Sequence, residues 1–236
     1  MGKSINTRGM NKEIIKLEDV NISQTKREIF NNICLSIKEG DFLYLIGETG
    51  EGKSSLLKTL YAEIKIKSGN ITVAGINIKE IKSSEIPVLR KKLGIVFQDF
   101  QLLTDRNIYE NLKFVLDSTG WNGIQIIQNR IKEVLEYVEL TGKENMMPYE
   151  ISGGEQQRAA IARSLLNSPD IILADEPTGN LDPLKSDKII QLLKKINKEG
   201  TTIVIATHDY QVIKNHPSRT IRCKDKGLHE IELHTL

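Results

Sequence analysis

The sequence predicts an α/β fold in which helices cover both faces of a parallel sheet. Short apolar runs alternate with segments of helical periodicity along most of the chain. The runs at 171–175 and 202–207 are almost wholly apolar, which is typical of strands buried on both faces. The run at 41–47 ends in glycine and is followed by a predicted helix at 53–62. Strands and helices that alternate in this way form parallel sheets.

The other predicted elements surround this central pattern. Alternation or a short apolar run predicts strands at 14–20, 31–37, 71–75 and 93–98. Helical periodicity predicts helices at 106–116 and 124–139. Ser152 opens a predicted polar helix that runs to about 167, and a helix at 183–199 has proline in its first turn. The tail at 220–233 alternates around Lys226-Gly227 and predicts a closing hairpin. The lysine-rich segment at 80–92 indicates a solvated face.

Length and composition indicate one globular unit. The chain has 236 residues, of which 39% are hydrophobic, and this is enough for one core or two tightly joined subdomains. We predict a flexible tail at 1–12, with Met1 or Met10 as the start, and a single domain at 13–236. The apolar stretches are far shorter than the roughly 20 residues that span a bilayer, so any membrane role requires a partner.

Charge and cysteine usage exclude several classes of protein. The 33 basic and 31 acidic residues leave a net charge of only +2, so we expect no nucleic-acid partner. The two cysteines, Cys34 and Cys223, are too few and too scattered for a disulfide framework or a zinc site. Free thiols in a reducing cytosol are therefore expected.

Residues 47–54 form the strongest chemical motif. They fit the pattern G-x-x-x-x-G-K-[ST] between a strand and a helix, which is the context that a phosphate-binding loop requires. The glycines let backbone N–H groups turn toward phosphate oxygens at a helix N-terminus. Lys53 can reach the β- and γ-phosphates, and Ser54 can ligate Mg²⁺. The predicted nucleotide-binding residues are Gly47, Glu48, Thr49, Gly50, Glu51, Gly52, Lys53, Ser54 and Ser55.

Polar side chains that follow other strands complete a predicted hydrolytic site. Asp175 ends a buried strand and can hold the Mg²⁺ shell. The next residue, Glu176, can polarise the attacking water as a general base. Gln98 and His208 also follow strands, at the edge where ligands of open α/β sheets gather. His208 is either a satisfied loop histidine or a catalytic residue, and the Gln98 amide can touch Mg²⁺ or the attacking water.

These residues, in this order, resemble the nucleotide-binding subunits of ATP-binding-cassette (ABC) transporters over about 14–231. The segment ISGGEQQR at 151–158 is similar to the signature motif of that family, and its Ser152 lies 23 residues before Asp175. The resemblance implies a RecA-like phosphate-loop core with an antiparallel β-subdomain, at 13–98 and 159–236. It also implies an α-helical arm at 99–158, which together with the core makes the ABC ATPase fold.

The resemblance further implies that two copies act together on ATP and Mg²⁺. The chain's own phosphate loop already holds one ATP, so a second anion site at the signature helix would act in trans. The residues that would close on the γ-phosphate of the other protomer are Ser152, Gly153, Gly154 and Glu155. The residues that match the D-loop of the dimer interface are Asn180, Leu181 and Asp182. Gln98 matches the Q-loop and His208 the switch histidine, so a homodimer is expected when ATP is bound.

One position departs from the family pattern. Family members place an aromatic ring, stacked on adenine, shortly after the first strand. The segment at 21–26 places Gln24 there and contains no aromatic residue. Both ATP and GTP therefore remain open as substrates.

Within the family, LADEPTGNLDP and SGGEQQR resemble the branch that serves FtsX, MacB and lipoprotein-release permeases. Residues 97–106 are most similar to its cell-division members. An integral membrane, permease-like partner (FtsX-like) is therefore expected, with this chain peripheral on the cytoplasmic face of the inner membrane. The expected role is to transmit the force of dimer closure in cell division and cell-wall hydrolase control. The residues expected either to contact that partner or to pack the arm onto the core are Phe100, Leu102, Leu103 and Tyr109.

Three other roles stay open at this point. The chain could serve a MacB-type or lipoprotein-release transporter instead, because those members share the same motifs. It could also be a soluble ABC ATPase that acts on ribosomes or DNA, or a regulator that binds ATP without turnover. The intact set of Asp175, Glu176 and His208 favours turnover over regulation.

Overall fold

The computed structural model describes residues 12–25 and 27–231. Its strands are β1 (Glu13–Gln24), β2 (Arg27–Lys38), β3 (Phe42–Ile46), β4 (Ile66–Val73), β5 (Ile76–Asn77), β6 (Leu93–Val96), β7 (Ile171–Asp175), β8 (Thr202–Ala206), β9 (Arg219–Lys224) and β10 (Gly227–Ile231). Its α-helices are α1 (Lys53–Leu60), α2 (Ile86–Lys91), α3 (Ile108–Ser118), α4 (Ile124–Tyr137), α5 (Gly153–Leu165), α6 (Pro183–Lys198) and α7 (Tyr210–Asn215). A 3₁₀ turn covers Pro148–Glu150. The tail predicted at 1–12 lies outside the described residues, apart from Lys12.

The central sheet has the order β10-β9-β3-β8-β7-β6. The pairs β3/β9, β3/β8, β7/β8 and β6/β7 are parallel, and β10 closes one edge antiparallel to β9. The predicted parallel sheet and closing hairpin are therefore confirmed. Because neighbouring strands run in the same direction, the loops that follow β3, β6, β7 and β8 lie at one edge of the sheet.

Helices and a second sheet cover the two faces of the central sheet. In β3 all five residues are buried. Tyr44 belongs to an apolar cluster with residues of α3 to α7, whereas Leu43 packs in a second cluster with α1 and the other sheet. Successive side chains of a strand point to opposite faces, so this division shows burial on both sides.

The second sheet is antiparallel and has the order β2-β1-β4-β5. The strands predicted at 14–20 and 31–37 extend further than the sequence indicated, to β1 and β2, and they pair with each other as a long hairpin. This hairpin supplies the antiparallel β-subdomain of the predicted fold class. Arg27, at the start of β2, lies beside the phosphate loop and donates a hydrogen bond from Nη2 to the carbonyl of Gly50 (3.2 Å).

The helical arm contains α3, α4 and the 3₁₀ turn. Asn107 caps α3 reciprocally with Glu110, since each side chain bonds the backbone N–H of the other residue. Helix α5 begins at the end of the arm and continues through residue 158, the predicted arm boundary, into the core. Where the arm ends and the core resumes therefore stays a prediction.

Two short helices were not predicted. Helix α2 lies within the segment predicted as a solvated face, and α7 follows β8. Each has six residues, too few for helical periodicity to show in the sequence. Only local signals mark them, namely Pro87 in the first turn of α2 and the Asp209 cap of α7. None of the helices in the described ranges is both long and apolar enough to cross a bilayer.

Candidate active site

A cleft of about 570 Å³ opens at the edge where the parallel strands end. The phosphate loop after β3, Gln98 after β6, Glu176 after β7 and His208 after β8 all reach it. The β1/β2 hairpin forms its outer wall. The lining residues are Gln24, Thr25, Arg27, Ile29, Thr49, Gly50, Gly52, Lys53, Ser54, Ser55, Gln98, Glu176 and His208. The cleft thus gathers side chains that lie far apart in the sequence.

Glycines allow the phosphate loop to follow its path. Gly47, Gly50 and Gly52 have φ values of +149°, +92° and +94°, in the region that favours glycine. A Cβ added to Gly52 would lie 2.4 Å from Cγ2 of Ile29. The loop backbone therefore packs directly on the β2 side chain, and this contact leaves no room for a larger residue at Gly52.

Lys53 begins α1 and lies inside the loop that precedes it. Lys53 as a whole is only 7% exposed. Its Nζ donates hydrogen bonds to the carbonyls of Gly47 (2.7 Å) and Glu48 (3.2 Å). Glu48 itself is exposed and Glu51 is half-buried. The ammonium is thus held in the loop by backbone oxygens, beside the amides that would receive a phosphate.

Ser54 and Asp175 bring two oxygen donors together. The Ser54 hydroxyl donates to Oδ1 of Asp175 at 3.0 Å. Burial raises the pKa of the Asp175 carboxyl, and the hydrogen bond from Ser54 opposes this rise. Hydroxyl and carboxylate oxygens suit Mg²⁺, and a cation beside Asp175 would offset the desolvation of its charge. Within the described ranges no group of three or more His, Cys, Asp or Glu is placed to hold a metal ion.

Glu176 and His208 form a pair at the mouth of the cleft. Oε1 of Glu176 lies 2.8 Å from Nδ1 of His208, and the backbone N–H of His208 donates to Oε2 at 3.3 Å. The Glu176 side chain is 12% exposed, whereas that of His208 is 61% exposed. Glu176 also has a positive φ of 47°, and its N–H donates to Ala206 of β8 (2.8 Å). A left-handed backbone at such a residue is held by its surroundings and is typical of functional sites.

The Q-loop and the D-loop are joined by hydrogen bonding and close packing. The side-chain amide of Asn180 donates to the carbonyl of Gln98 at 2.9 Å. A Cβ on Gly179 would lie 3.0 Å from the Gln98 side-chain nitrogen. The Q-loop at Gln98 and the D-loop at Asn180 are therefore in direct contact. Asp182 caps α6 by accepting from the N–H of Lys185 (3.0 Å), and Leu181 is half-buried.

The signature motif forms the N-terminus of α5 and lies outside the cleft. Ser152 caps the helix, and Glu155 completes a capping box with it. Hydrogen bonds from the hydroxyl and the amide of Ser152 lower the pKa of Glu155, which is therefore ionised at neutral pH. Gly153 faces Leu181 and Phe100, and Gly154 faces Lys185. Among the described residues that line the cleft, none belongs to the signature motif, so the second anion site predicted there lies apart from the phosphate loop.

The four residues predicted to form a partner groove occupy different environments. Leu102 and Tyr109 are half-buried against the apolar cluster, so they pack the arm onto the core. Leu103 is 38% exposed. Phe100 has a positive φ of 59°, and its ring would lie 3.7 Å from a Cβ on Gly153. Phe100 is thus only half-buried, and its ring lies beside Gly153 of the signature motif.

Two residues, Arg163 and Asn111, hold the backbone at 100–103 in place, and the sequence did not predict this role for either of them. Arg163 of α5 donates to the carbonyls of Phe100 (2.9 Å) and Gln101. Asn111 is 2% exposed and bonds both backbone groups of Leu103, accepting from its N–H at 2.7 Å and donating to its carbonyl at 3.0 Å. Arg27 and Ile29, which line the cleft, were also missed. The position of Arg27 and Ile29 directly after the hairpin turn could have indicated them, whereas no sequence signal marks Arg163.

A phosphate loop, a strand that ends in Asp-Glu and a separate Ser-Gly-Gly helix define an ABC-type ATPase. The chain belongs to the ABC transporter family, whose family model matches residues 30–179. The predicted fold class and ATPase activity are confirmed.

Individual relatives indicate which branch of the ABC transporter family the chain resembles. The chain is 45% identical to the cell division ATP-binding protein FtsE of Streptococcus pneumoniae serotype 2 over 189 residues, 80% of this chain and 82% of the relative. It is 43% identical to the protein of the same name from Bacillus subtilis over 195 residues, 83% of this chain and 85% of the relative. The structure of the ATP-binding cassette MJ0796, a dimeric post-hydrolysis state bound to ADP and Pi, matches with a TM-score of 0.82 and 36% identity. That match covers 93% of this chain and 98% of the other. The resemblance to the cell-division branch is confirmed.

Proposed function

We propose that this protein is an FtsE-like subunit that hydrolyses ATP to drive a membrane partner. The observation that carries the proposal is the division of the active site. One chain offers Lys53, Glu176 and His208 around one cleft, whereas Ser152 does not line that cleft. Asp175 is bonded to Ser54 of the lining. A complete site therefore needs the signature motif of a second copy. The dimeric ADP- and Pi-bound relative supports this arrangement.

In the proposed reaction, water attacks the γ-phosphorus of ATP. The Glu176 carboxylate accepts a proton from that water as the new P–O bond forms. The bond between the γ-phosphorus and the β–γ bridging oxygen breaks, and ADP and inorganic phosphate result. His208, which holds Glu176 through Nδ1, keeps the carboxylate oriented. The amides of the phosphate loop and Lys53 bind the phosphate charge.

Ser54 and Asp175 would hold the Mg²⁺ that accompanies ATP, with Gln98 as a further ligand or a contact to the attacking water. The bound ion would supply charge neutralisation at the β- and γ-phosphates. The Ser54–Asp175 hydrogen bond keeps these two oxygens together before the nucleotide arrives.

ATP would act as the link between two protomers. In the closed dimer, Ser152, Gly153 and Gly154 would donate hydrogen bonds to the γ-phosphate held by the other copy. Only the closed state offers these contacts, so ATP shifts the equilibrium toward closure and hydrolysis releases it. The residues proposed to lie in the interface beside them are Asn180, Leu181 and Asp182.

The cleft also bears on nucleotide choice. Its outer wall has Gln24, Thr25, Arg27 and Ile29, and no aromatic residue lines it within the described part of the chain. A base held without a stacked ring and without buried polar contacts is poorly discriminated. We therefore predict that GTP is hydrolysed with a kcat/KM within about tenfold of that for ATP. Phosphate release from each nucleotide measures this, and a preference above about a hundredfold would contradict it.

The membrane partner would bind the arm beside the Q-loop. Leu103 is exposed there, and Phe114 of α3 is 46% exposed under Arg106, whose Cζ lies 4.9 Å from the ring centroid. Exposed apolar side chains on a surface mark partner contacts. The names of the FtsE relatives support a role in cell division. The partner proposed here is an FtsX-like permease. The chain would then lie on the cytoplasmic face of the inner membrane.

Changing Leu103 to aspartate should abolish co-purification with the membrane partner. The new charge would be buried against apolar partner surface, whereas hydrolysis by the isolated protein should persist because Leu103 does not line the cleft. Phe100 is a poorer probe than the sequence indicated, because its ring also contacts the signature motif. The measurement is affinity purification of tagged protein from membranes, followed by mass spectrometry.

Ile126→Asp is the matched control, since Ile126 is 56% exposed on α4 and lies outside the proposed surface. Retained partner in the Leu103→Asp sample would reject the assigned surface. The identity of the recovered partner also separates the alternatives. A MacB-type or lipoprotein-release permease would redirect the assignment within the same branch, and ribosomal proteins or DNA without a membrane protein would overturn the membrane role.

A further inference from the structure

The signature motif of this chain has a negative charge where it is expected to meet an anion. Glu155 follows Ser152, Gly153 and Gly154 at the start of α5. In the proposed dimer these residues receive the γ-phosphate, so an ionised carboxylate beside them opposes binding. The inference below rests on that proposed function.

Glu155 also holds the Ser152 hydroxyl. The Oγ of Ser152 donates to Oε2 of Glu155 at 2.7 Å, and the N–H of Ser152 donates to the same oxygen at 2.8 Å. The hydroxyl must redirect its hydrogen toward a phosphate oxygen when the dimer closes. If the Glu155 carboxylate accepts this hydrogen bond more weakly, the Ser152 hydroxyl can turn toward the phosphate more easily.

A lysine from the helical arm balances this charge. Nζ of Lys143 lies 3.4 Å from Oε1 of Glu155, the oxygen that Ser152 does not use. The Lys143 and Glu155 side chains are only 37% and 21% exposed, so solvent screens the pair less than an open surface pair. Lys185, which also lies beside the motif, is paired instead with Asp182 at 2.7 Å.

The backbone around Lys143 is fixed in place. The N–H of Lys143 donates to Leu140 (3.1 Å), and its carbonyl accepts from Met146 (3.1 Å). The next residue, Glu144, accepts from the N–H of Tyr109 in α3 at 2.8 Å. Lys143 is therefore presented to Glu155 from a segment held to the first turn of α3.

We propose that Lys143 is a positioning residue of the signature site. It neutralises Glu155 and draws the carboxylate toward itself, so that the Ser152 hydroxyl and the glycine amides can donate to the γ-phosphate of ATP bound by a second copy of the chain. Lys143 touches neither ATP nor the reacting atoms of its own cleft.

The test uses the Glu176→Gln background, in which ATP-bound dimers are expected to accumulate. Sedimentation velocity gives the dimer dissociation constant with ATP, and a fluorescent ATP analogue gives the affinity of the monomer. Lys143→Met should weaken dimerisation by about tenfold and leave monomer affinity unchanged, because an uncompensated carboxylate then faces the phosphate. Adding Glu155→Gln should restore dimerisation to within about twofold of the background, since glutamine keeps the capping box without the charge.

Lys113→Met is the control, because it removes the same charge from the Lys113–Asp117 pair on α3 (2.6 Å). Unchanged dimerisation in Lys143→Met would overturn the inference. A loss that Glu155→Gln fails to rescue would also overturn it, since Lys143 would then act only by supporting the local fold. If the Glu176→Gln protein stays monomeric with ATP, the proposed function fails first and this inference fails with it.

Discussion

Replacing Glu176 with glutamine should reduce ATP hydrolysis by at least about 100-fold while leaving ATP binding intact. The amide cannot take the proton of the attacking water, yet it has nearly the same size and can still face His208 across the 2.8 Å contact. In the proposed cycle hydrolysis releases the closed dimer, so the variant should also accumulate as an ATP-bound dimer. Phosphate release measures the first effect, and sedimentation with and without ATP measures the second.

A surface carboxylate provides the control for that variant. Glu199→Gln removes the same charge from a side chain that accepts from the hydroxyl of Tyr137 (2.8 Å), outside the cleft. Its hydrolysis rate should match that of the unmodified protein. If Glu176→Gln hydrolysed ATP at the unmodified rate, the general base would have to be another group, and His208 would be the next candidate.

Replacing Lys53 with methionine should weaken nucleotide binding by on the order of 100-fold, since charge-assisted hydrogen bonds to phosphate are lost. The structure adds a second consequence. Lys53 is 7% exposed and donates hydrogen bonds to the carbonyls of Gly47 and Glu48. Methionine at this position would also leave these two oxygens without their donor. We therefore expect a lower melting temperature for the nucleotide-free protein as well. Titration with a fluorescent ATP analogue and thermal unfolding measure the two effects separately.

Lys65→Met is the matched control for Lys53, because Lys65 is an exposed lysine just beyond α1. It should bind nucleotide normally and unfold at the usual temperature. Normal nucleotide affinity in Lys53→Met would show that the loop amides alone hold the phosphates. A loss of affinity without a change in melting temperature would show that the carbonyl contacts contribute nothing to the empty loop.

Local sequence patterns predicted the central part of this fold well. Residues of β7 and β8 are apolar and buried on both faces, so their short runs were unambiguous and β7 was predicted at its observed bounds. The phosphate loop, the Asp-Glu pair and the Ser-Gly-Gly cap act through neighbouring residues, so each motif contains most of its own geometry. Helix α5, predicted at 152–167, begins at Gly153 with Ser152 as its cap.

Weaker local signals gave weaker predictions. Helices α2 and α7 are held by their surroundings and are too short for their periodicity to be seen. The hairpin of β1 and β2 extends beyond its alternating parts, because pairing between the two strands stabilises residues with no strand pattern of their own. The groove prediction grouped four apolar residues by sequence, whereas Leu102 and Tyr109 pack inward and Leu103 faces outward.

The sequence by itself therefore determined the class of protein and the chemistry of its phosphate, metal and signature motifs, because these depend on residues that are close along the chain. Only the tertiary structure decided which of them line one cleft and which do not. It alone joined Glu176 to His208, Gln98 to Asn180 and Lys143 to Glu155. These contacts form when separate strands and helices pack at one edge of a sheet, and no local pattern specifies them.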